Sequence, residues 1–205
     1  MANPRLPREP VDDAVKVRRA VPGDIPDLIE LTRQLAQFQD LGDRFAATEE
    51  GIRAGLFGRH RSAEAIVAQC GSEVTGYAIF AQSFSSTRCR PKLIVEDIFV
   101  MPDCRGRGVG SALFHAIADR ARELGAGRIE WTVLRDNKDA LQFYDSLGAV
   151  PSPEWVTCSM DGTAIEALRT SNSLPRTSAH DRLDADVPSL EGGGSSVQSR
   201  TSNVE

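Results

Sequence analysis

The feature that most constrains the fold is a glycine-rich turn that separates an apolar run from a helix-like segment. Residues 93–100 are the most apolar run of the chain, and Met101-Pro102 ends it. The turn Arg-Gly-Arg-Gly-Val-Gly follows at residues 105–110, and residues 111–124 then carry apolar side chains at helical spacing. The sequence therefore predicts a central strand, a tight turn and a helix, in that order.

This turn predicts a site for phosphate groups. Glycines let the backbone turn tightly, and the first turn of a helix leaves N–H groups without acceptors. Such N–H groups, helped by the positive end of the helix dipole, bind phosphate oxygens. A tight loop with no ligand is the alternative, but the combination of strand, arginine, turn and helix favours a ligand that carries a diphosphate.

Two common nucleotide-binding motifs do not fit the turn. A Rossmann fold would place its ribose-binding acid about 20 residues beyond the turn, where Glu130 lies. Its GxGxxG motif, however, directly follows a strand, whereas four residues precede Gly106 here and Ser111 stands where a third glycine is needed. A Walker A loop is excluded because no Lys-Ser or Lys-Thr follows Gly110.

The remaining patterns alternate between strands and helices. A buried helix face follows Asp24, and Thr48 precedes a short second helix with two acids in its first turn. Strands are predicted at residues 15–19, 65–69, 74–84, 93–100, 128–133 and 155–160, and further helices at 111–124 and 137–147. This order predicts an α/β (α+β) fold in which helices cover both faces of a mixed, mostly antiparallel sheet.

Length and composition bound the remaining possibilities. A chain of 205 residues with 40% hydrophobic residues can bury one core, and we expect one domain over residues 14–169 between disordered segments at 1–13 and 170–205. A net charge of -5 and a pI near 5.3 argue against nucleic acid as a partner. No apolar run reaches the ~20 residues that span a bilayer, and the four cysteines lack metal-ligand spacing. The sequence therefore predicts a cytoplasmic protein without a membrane partner or a metal.

The turn also satisfies the signature [Arg/Gln]-x-x-Gly-x-[Gly/Ala], through Arg105, Gly108 and Gly110. In this it resembles the cofactor-binding core of the GNAT superfamily of N-acetyltransferases. The resemblance implies a GNAT-type fold with acetyl-CoA as cosubstrate. It also implies that the end of the strand holds the acetyl-pantetheine arm and that the turn holds the pyrophosphate. The implied arm residues are Phe99, Val100 and Met101, and the implied pyrophosphate residues are Arg105, Gly106, Arg107, Gly108, Val109, Gly110 and Ser111.

Two acids interrupt the apolar run that precedes the turn. Strand alternation predicts that Glu96 and Asp97 lie on opposite faces of the sheet. An unpaired buried carboxylate costs several kcal/mol, so each acid needs a partner or a function. A buried ion pair is one interpretation. The other is that Glu96 accepts the proton of a substrate amine, directly or through water, and attracts the cationic substrate.

A tyrosine in the last predicted helix is a candidate proton donor. The phenol of Tyr144, with an ordinary pKa of about 10, can deliver a proton to a departing thiolate, although a core tyrosine is the alternative interpretation. The spacing of Asn137 and Tyr144, followed by Leu147-Gly148-Ala149, resembles the GNAT segment that carries the thiolate acid. By that resemblance Asn137 contacts the pantetheine region.

Longer stretches suggest a subfamily. Residues 48–58 (TEEGIRAGLFG), 95–101 (VEDIFVM) and 142–149 (QFYDSLGA) resemble the spermidine/spermine (diamine) and thialysine acetyltransferases. The resemblance implies an acceptor site at Phe38, Gln39, Glu96, Asp97, Glu154 and Trp155. Polyamine-acetylating members carry an acid where this chain has Gln39, so acetylation of an amine is better supported than spermidine as that amine.

Together, these features predict direct transfer of an acetyl group from acetyl-CoA to the primary amine of a small molecule. Glu96 is predicted to act as the base and Tyr144 as the acid. Acetylation of a protein lysine or N-terminus is one alternative, and a non-catalytic module that binds acyl-CoA is another. Analogy with the family also suggests a homodimer.

Overall fold

A computed structural model describes residues 14–170, and within them a five-stranded sheet is the central element. Its strands follow the order of the chain, and the first four are antiparallel to their neighbours, whereas the last pair is parallel. The strands are β1 (Lys16–Arg19), β2 (Glu64–Cys70), β3 (Glu73–Ser85), β4 (Arg90–Val100) and β5 (Ile129–Trp131).

Helices connect or follow the strands. The second helix begins where capping chemistry predicts, because Thr48 accepts a hydrogen bond from the Gly51 N–H at 3.1 Å. The helices are α1 (Ile25–Phe38), α2 (Glu49–Phe57), α3 (Val109–Glu123), α4 (Lys138–Ser146) and α5 (Gly162–Thr170).

The two faces of the sheet are covered by different helices. Leu28, Leu31 and Leu35 of α1 pack with Tyr77 and other side chains on one face. The second apolar cluster, on the other face, takes its helical side chains from α3, and they are Val109, Leu113, Ile117 and Ala121. The predicted mixed, mostly antiparallel sheet with helices on both faces is confirmed.

Two local predictions are wrong. Residues 155–160 form no strand, and their side chains are exposed, so β-propensity there is not matched by burial or by a neighbouring strand. Asp24 precedes α1 but does not cap it, because its carboxylate accepts hydrogen bonds from the Arg18 guanidinium and from the Val21 N–H, all at 2.7 Å. The last strand is also shorter than the predicted residues 128–133.

The described residues divide into two units, with the boundary between Val150 and Pro151. The described part of the second unit, residues 151–170, consists of an irregular segment with a turn at residues 153–154, followed by α5. The predicted disordered segments lie outside the described residues, apart from Thr170, and the predicted domain at 14–169 stays a prediction. Within residues 14–170, no helix combines the length and the apolar character needed to cross a membrane.

Candidate active site

The site begins where two parallel strands separate. β4 and β5 are hydrogen-bonded only as far as Val95 and Trp131, yet β4 continues to Val100. Beyond Val95, the backbone of β4 therefore has no strand beside it on the β5 side. Unpaired strand groups need other partners, so this edge can bind an extended ligand arm along its N–H and C=O groups.

A β-bulge in β4 controls the two acids. Ile79 pairs with Asp97 and the next residue, Phe80, pairs with Val95, so Glu96 is an extra residue without a partner on β3. The bulge reverses the alternation of the strand. Asp97 consequently shares the α1 face with Phe99, whereas Val95 belongs to the cluster on the α3 face.

The predicted placement of the two acids on opposite faces assumed regular alternation, which this bulge interrupts. Glu96 is exposed and Asp97 is partly buried, but both line the same cleft. Burial, and next the charge of Glu96, raise the pKa of the Asp97 carboxyl. Two neighbouring acids beside a cleft favour a cationic ligand there.

The glycine turn forms another wall of the cleft. Gly108 precedes α3 with a φ of 81°, in the left-handed region, and no side chain caps the helix. The first internal bond runs from the Ala112 N–H to the Gly108 carbonyl at 2.9 Å. The N–H groups of Val109, Gly110 and Ser111 are thus the first-turn groups that lack an intrahelical acceptor. Their residues line the cleft, as the predicted phosphate site requires.

Arg105 connects this turn to the end of α1. Its Nε donates a hydrogen bond to the Val100 carbonyl at 3.0 Å. Its guanidinium carbon lies 5.3 Å from the centroid of the Phe38 ring and 5.7 Å from that of Phe99. These contacts bring Phe38 and the following Gln39 to the cleft, where both were predicted.

Tyr144 is held by an aromatic cluster. Its ring centroid lies 5.0 Å from that of Trp131 and 5.6 Å from that of Phe114, in edge-on geometry, and 5.5 Å from that of Phe143. Burial raises the pKa of the Tyr144 phenol. The hydroxyl is therefore held protonated over a wider pH range than a free phenol, as a proton donor requires.

Asn137 fixes the start of the helix that carries Tyr144. Its Oδ1 accepts a hydrogen bond from the Ala140 N–H at 3.1 Å, so the side chain caps α4. Asn137 also lines the cleft. Its side-chain oxygen is committed to the helix, which leaves the NH2 group as the donor that can meet a ligand.

All of these walls enclose one cleft of about 620 Å³. This volume lies within the range typical of small-molecule sites. The cleft brings together most of the predicted residues: Phe38, Gln39, Glu96, Asp97, Phe99, Val100, Arg105, Gly106, Gly108, Val109, Gly110, Ser111, Asn137 and Tyr144.

Two predicted residues of the first unit, Met101 and Arg107, do not line this cleft. Met101 packs against the core cluster beneath α1, and its N–H donates to the Thr75 carbonyl at 2.9 Å. Arg107 is exposed and is not among the lining residues. Glu154 and Trp155 are exposed residues of the second unit, and their role in acceptor binding stays a prediction.

Sequence reasoning missed the aromatic wall. Trp131 and Phe143 line the cleft beside Tyr144. A Cβ at Gly110 would lie 3.2 Å from Cζ of Phe143, so the third glycine of the turn makes room for this ring. Phe143 immediately precedes Tyr144, the predicted proton donor, and this adjacency was the sequence signal that could have indicated a role for Phe143 in the cleft. The rival Rossmann interpretation fails again, because Glu130 pairs with Lys92 at 2.5 Å and with Arg128 at 3.0 Å.

The sequence matches a model of the acetyltransferase (GNAT) family over residues 27–149. The chain therefore belongs to the GNAT acetyltransferase family and is an N-acetyltransferase of that family. The match begins in α1 and ends just after α4, so it contains the whole cleft described above.

Curated relatives are similar over most of this chain. A thialysine N-epsilon-acetyltransferase of Bos taurus is 32% identical over 75% of this chain and 96% of the relative. An L-ornithine N5-acetyltransferase of Arabidopsis thaliana is 27% identical over 77% of this chain and 89% of the relative. A solved integron cassette protein of V. cholerae superposes with a TM-score of 0.65 at 26% identity, over 77% of this chain and 98% of that protein.

Proposed function

We propose that this protein transfers the acetyl group of acetyl-CoA directly to the primary amine of a small diamine-like or thialysine-like molecule. The observation that carries the proposal is the composition of the cleft, which combines two acids from β4, a partly buried phenol from α4 and a helix N-terminus. An amine, a thiolate and a diphosphate are the three groups that such a transfer must accommodate.

The residues that line the cleft fit acetyl-CoA. The first-turn N–H groups of α3 would hold the pyrophosphate. The space beside Gly108 is open, since a Cβ built there would meet nothing within 4 Å, so a ligand can approach the turn. The edge of β4 at Phe99 and Val100, which has no neighbouring strand on the β5 side, would hold the pantetheine arm. When bound, acetyl-CoA supplies a thioester whose carbonyl carbon accepts the amine.

The acids and the phenol divide the proton transfers between them. Glu96 takes a proton from the substrate ammonium, directly or through water, to give the neutral amine. As the new carbon–nitrogen bond forms and the carbon–sulfur bond breaks, the nitrogen loses a second proton to water. Tyr144 donates its hydroxyl proton to the departing sulfur and regains a proton from solvent. Asp97, beside Glu96, supplies a second negative charge that draws the ammonium form of the substrate into the cleft.

The class of acceptor is supported by the relatives and by the cleft together. The thialysine and ornithine enzymes are named for acceptors that carry a primary amine on a short chain. On the α1 side of the cleft, Gln39 is uncharged, so α1 offers no second acid there for a substrate with several amines. The acids of β4 that can contact an amine are Glu96 and Asp97. One amine at the acids therefore fits better than a long polycation.

The proposal is tested by supplying acetyl-CoA and a panel of acceptors to the purified protein. The panel contains thialysine, ornithine, lysine, short diamines, spermidine and two peptides, one with an internal lysine and one with a free N-terminus. We expect equimolar release of coenzyme A and an acetylated product with the short amino-acid and diamine acceptors. Turnover with the peptides alone would establish the protein-acetylating alternative, and no turnover with any acceptor would refute the proposal.

A further inference from the structure

Tyr77 carries a polar group for which the proposed mechanism has no use. The side chain lies in the core beneath α1 and is fully buried. Among the described residues its hydroxyl is the buried side-chain polar atom that has no hydrogen-bond partner. Because an unpaired buried hydroxyl is unfavourable and a phenylalanine would avoid it, the group calls for a functional explanation.

The register of the sheet places this hydroxyl near Asp97. Tyr77 pairs with Phe99 and Ile79 pairs with Asp97, so Tyr77 and Asp97 are diagonal neighbours on the α1 face. Diagonal neighbours in an antiparallel pair are about 7–8 Å apart at the backbone, which a long aromatic side chain can span. The bulge at Glu96 is what moves Asp97 onto this face.

Two polar side chains act on the Tyr77 hydroxyl, those of Asp97 and Thr32. The Thr32 hydroxyl donates to the Leu28 carbonyl at 2.7 Å within α1, so towards the phenol it can act only as a neutral acceptor. The Asp97 carboxylate, in contrast, can be ionised, and it is hydrogen-bonded to no other side chain among the described residues. Because a hydrogen bond to an ionised acceptor is stronger than one to a neutral hydroxyl, Asp97 is the preferred acceptor for the buried phenol.

We propose that Tyr77 is a positioning residue that donates a hydrogen bond to Asp97 and keeps this carboxylate ionised and directed at the substrate ammonium. The inference rests on the proposed function, since it assigns the amine anchor of that same cleft. It makes Asp97 the specificity-determining acid for a cationic acceptor and leaves Glu96, which is more exposed, to accept the proton.

The groups around Asp97 determine in which direction loss of the Tyr77 hydroxyl would move the pKa of Asp97. Burial and Glu96 raise the pKa of Asp97, whereas the Tyr77 hydroxyl acts in the opposite direction. The α1 residues at the cleft, Leu35, Phe38 and Gln39, carry no charge. The other charged or titratable groups that line the cleft are Arg105, Asp139 and Tyr144. Loss of the Tyr77 hydroxyl thus raises the pKa of Asp97 further and moves its ionisation to higher pH.

The test compares Tyr77→Phe with the wild type. We expect the KM for the amine to rise roughly tenfold near neutral pH, the loss typical of one hydrogen bond to a charged group. The acid limb of kcat/KM for the amine should move to higher pH, with kcat and the Kd for coenzyme A nearly unchanged. An acid limb that stays in place overturns the proposal, whatever happens to KM.

Two controls separate positioning from packing. Thr32→Val removes the other nearby hydroxyl and should leave the acid limb unchanged. In an Asp97→Asn background, Tyr77→Phe should have no further effect on KM, whereas additive losses overturn the proposal.

A readout that does not need turnover keeps this inference distinct from the proposed function. Carbon-13 NMR of the Asp97 carboxyl, in protein saturated with coenzyme A, should show a higher pKa in Tyr77→Phe than in the wild type. If the wild type acetylates no amine, the proposed function fails, yet the NMR shift still decides whether Tyr77 controls Asp97. An unchanged Asp97 titration overturns the inference even if the enzyme is active.

Discussion

Gly108 offers the sharpest perturbation of the cofactor site, because strain and charge can be changed there separately. Its φ of 81° lies in the left-handed region, and a Cβ would meet nothing within 4 Å. Gly108→Ala therefore introduces strain without a clash, and we expect it to lower the free energy of unfolding by about 1–2 kcal/mol. Gly108→Asp adds a carboxylate to the wall that is proposed to bind the diphosphate.

The size of the charge effect follows from Coulomb's law. At about 7 Å and an effective dielectric constant of about 20, a carboxylate and one phosphate charge repel each other by about 2.4 kcal/mol. That energy corresponds to a roughly 50-fold increase in Kd. Isothermal titration calorimetry with coenzyme A measures it, and added salt should reduce the penalty only in part because the site is partly enclosed.

Gly125 provides the matched control at the opposite end of α3. Its φ of 65° is also left-handed, and a Cβ there also meets nothing within 4 Å. Gly125→Ala should therefore cost about the same stability as Gly108→Ala while leaving the Kd for coenzyme A within about twofold. If Gly108→Asp binds coenzyme A as tightly as Gly125→Ala does, the assignment of the diphosphate to this turn is refuted.

Three further predictions concern the acid, the base and the fold. Tyr144→Phe should lower kcat by about 10²–10⁴-fold with little change in acetyl-CoA affinity, as measured by steady-state kinetics and calorimetry; unchanged turnover would remove Tyr144 from the mechanism. Glu96→Gln should shift the pH–rate profile toward the pKa of the free amine, about 10.4 for a lysine-like group; an unaltered profile would leave Glu96 a structural role. The hydrogen bond from Arg18 lowers the pKa of Asp24, so their pairing stabilises the fold above the unfolded-state pKa and loses this effect as pH falls through the folded-state value. Because Arg18 is 36% exposed, Asp24→Asn should cost about 1–2 kcal/mol at neutral pH. Urea unfolding should show a smaller loss at a pH below the folded-state pKa of Asp24, and an equal loss at both pH values would contradict the linkage.

The sequence was informative where local chemistry decides the structure. Apolar spacing predicted α1, and Thr48 predicted the start of α2, because helix periodicity and capping act within a few residues. The glycine turn predicted both its own geometry and the first turn of α3, since positive φ at Gly106 and Gly108 is a backbone requirement.

Features that depend on two segments together were not predictable in this way. The bulge at Glu96 exists only relative to β3, because an extra residue in one strand is defined by the register of its partner. The sequence of β4 alone therefore placed the two acids on opposite faces. From the sequence, Tyr77 is indistinguishable from an ordinary core residue. Only the register between β3 and β4 shows that Asp97 is its diagonal neighbour.

The aromatic cluster around Tyr144 has the same origin. Three different elements contribute its rings: Phe114 from α3, Trp131 from β5 and Phe143 from α4. No pattern in the sequence indicates that these side chains meet. Residues 155–160 show the reverse case, a feature that was predicted but is not formed. Their composition favours a strand, but the structure has none there. Propensity is a weak guide where no partner strand is specified.

The most direct measurement is amide NMR of the 15N-labelled protein, titrated in parallel with coenzyme A and with pantetheine, which lacks the diphosphate. If first-turn N–H groups hold the diphosphate, coenzyme A will shift the resonances of Val109, Gly110 and Ser111, and pantetheine will leave them largely in place while shifting those of β4. Equal shifts of these three amides by both ligands, or no shift with coenzyme A, would contradict the account.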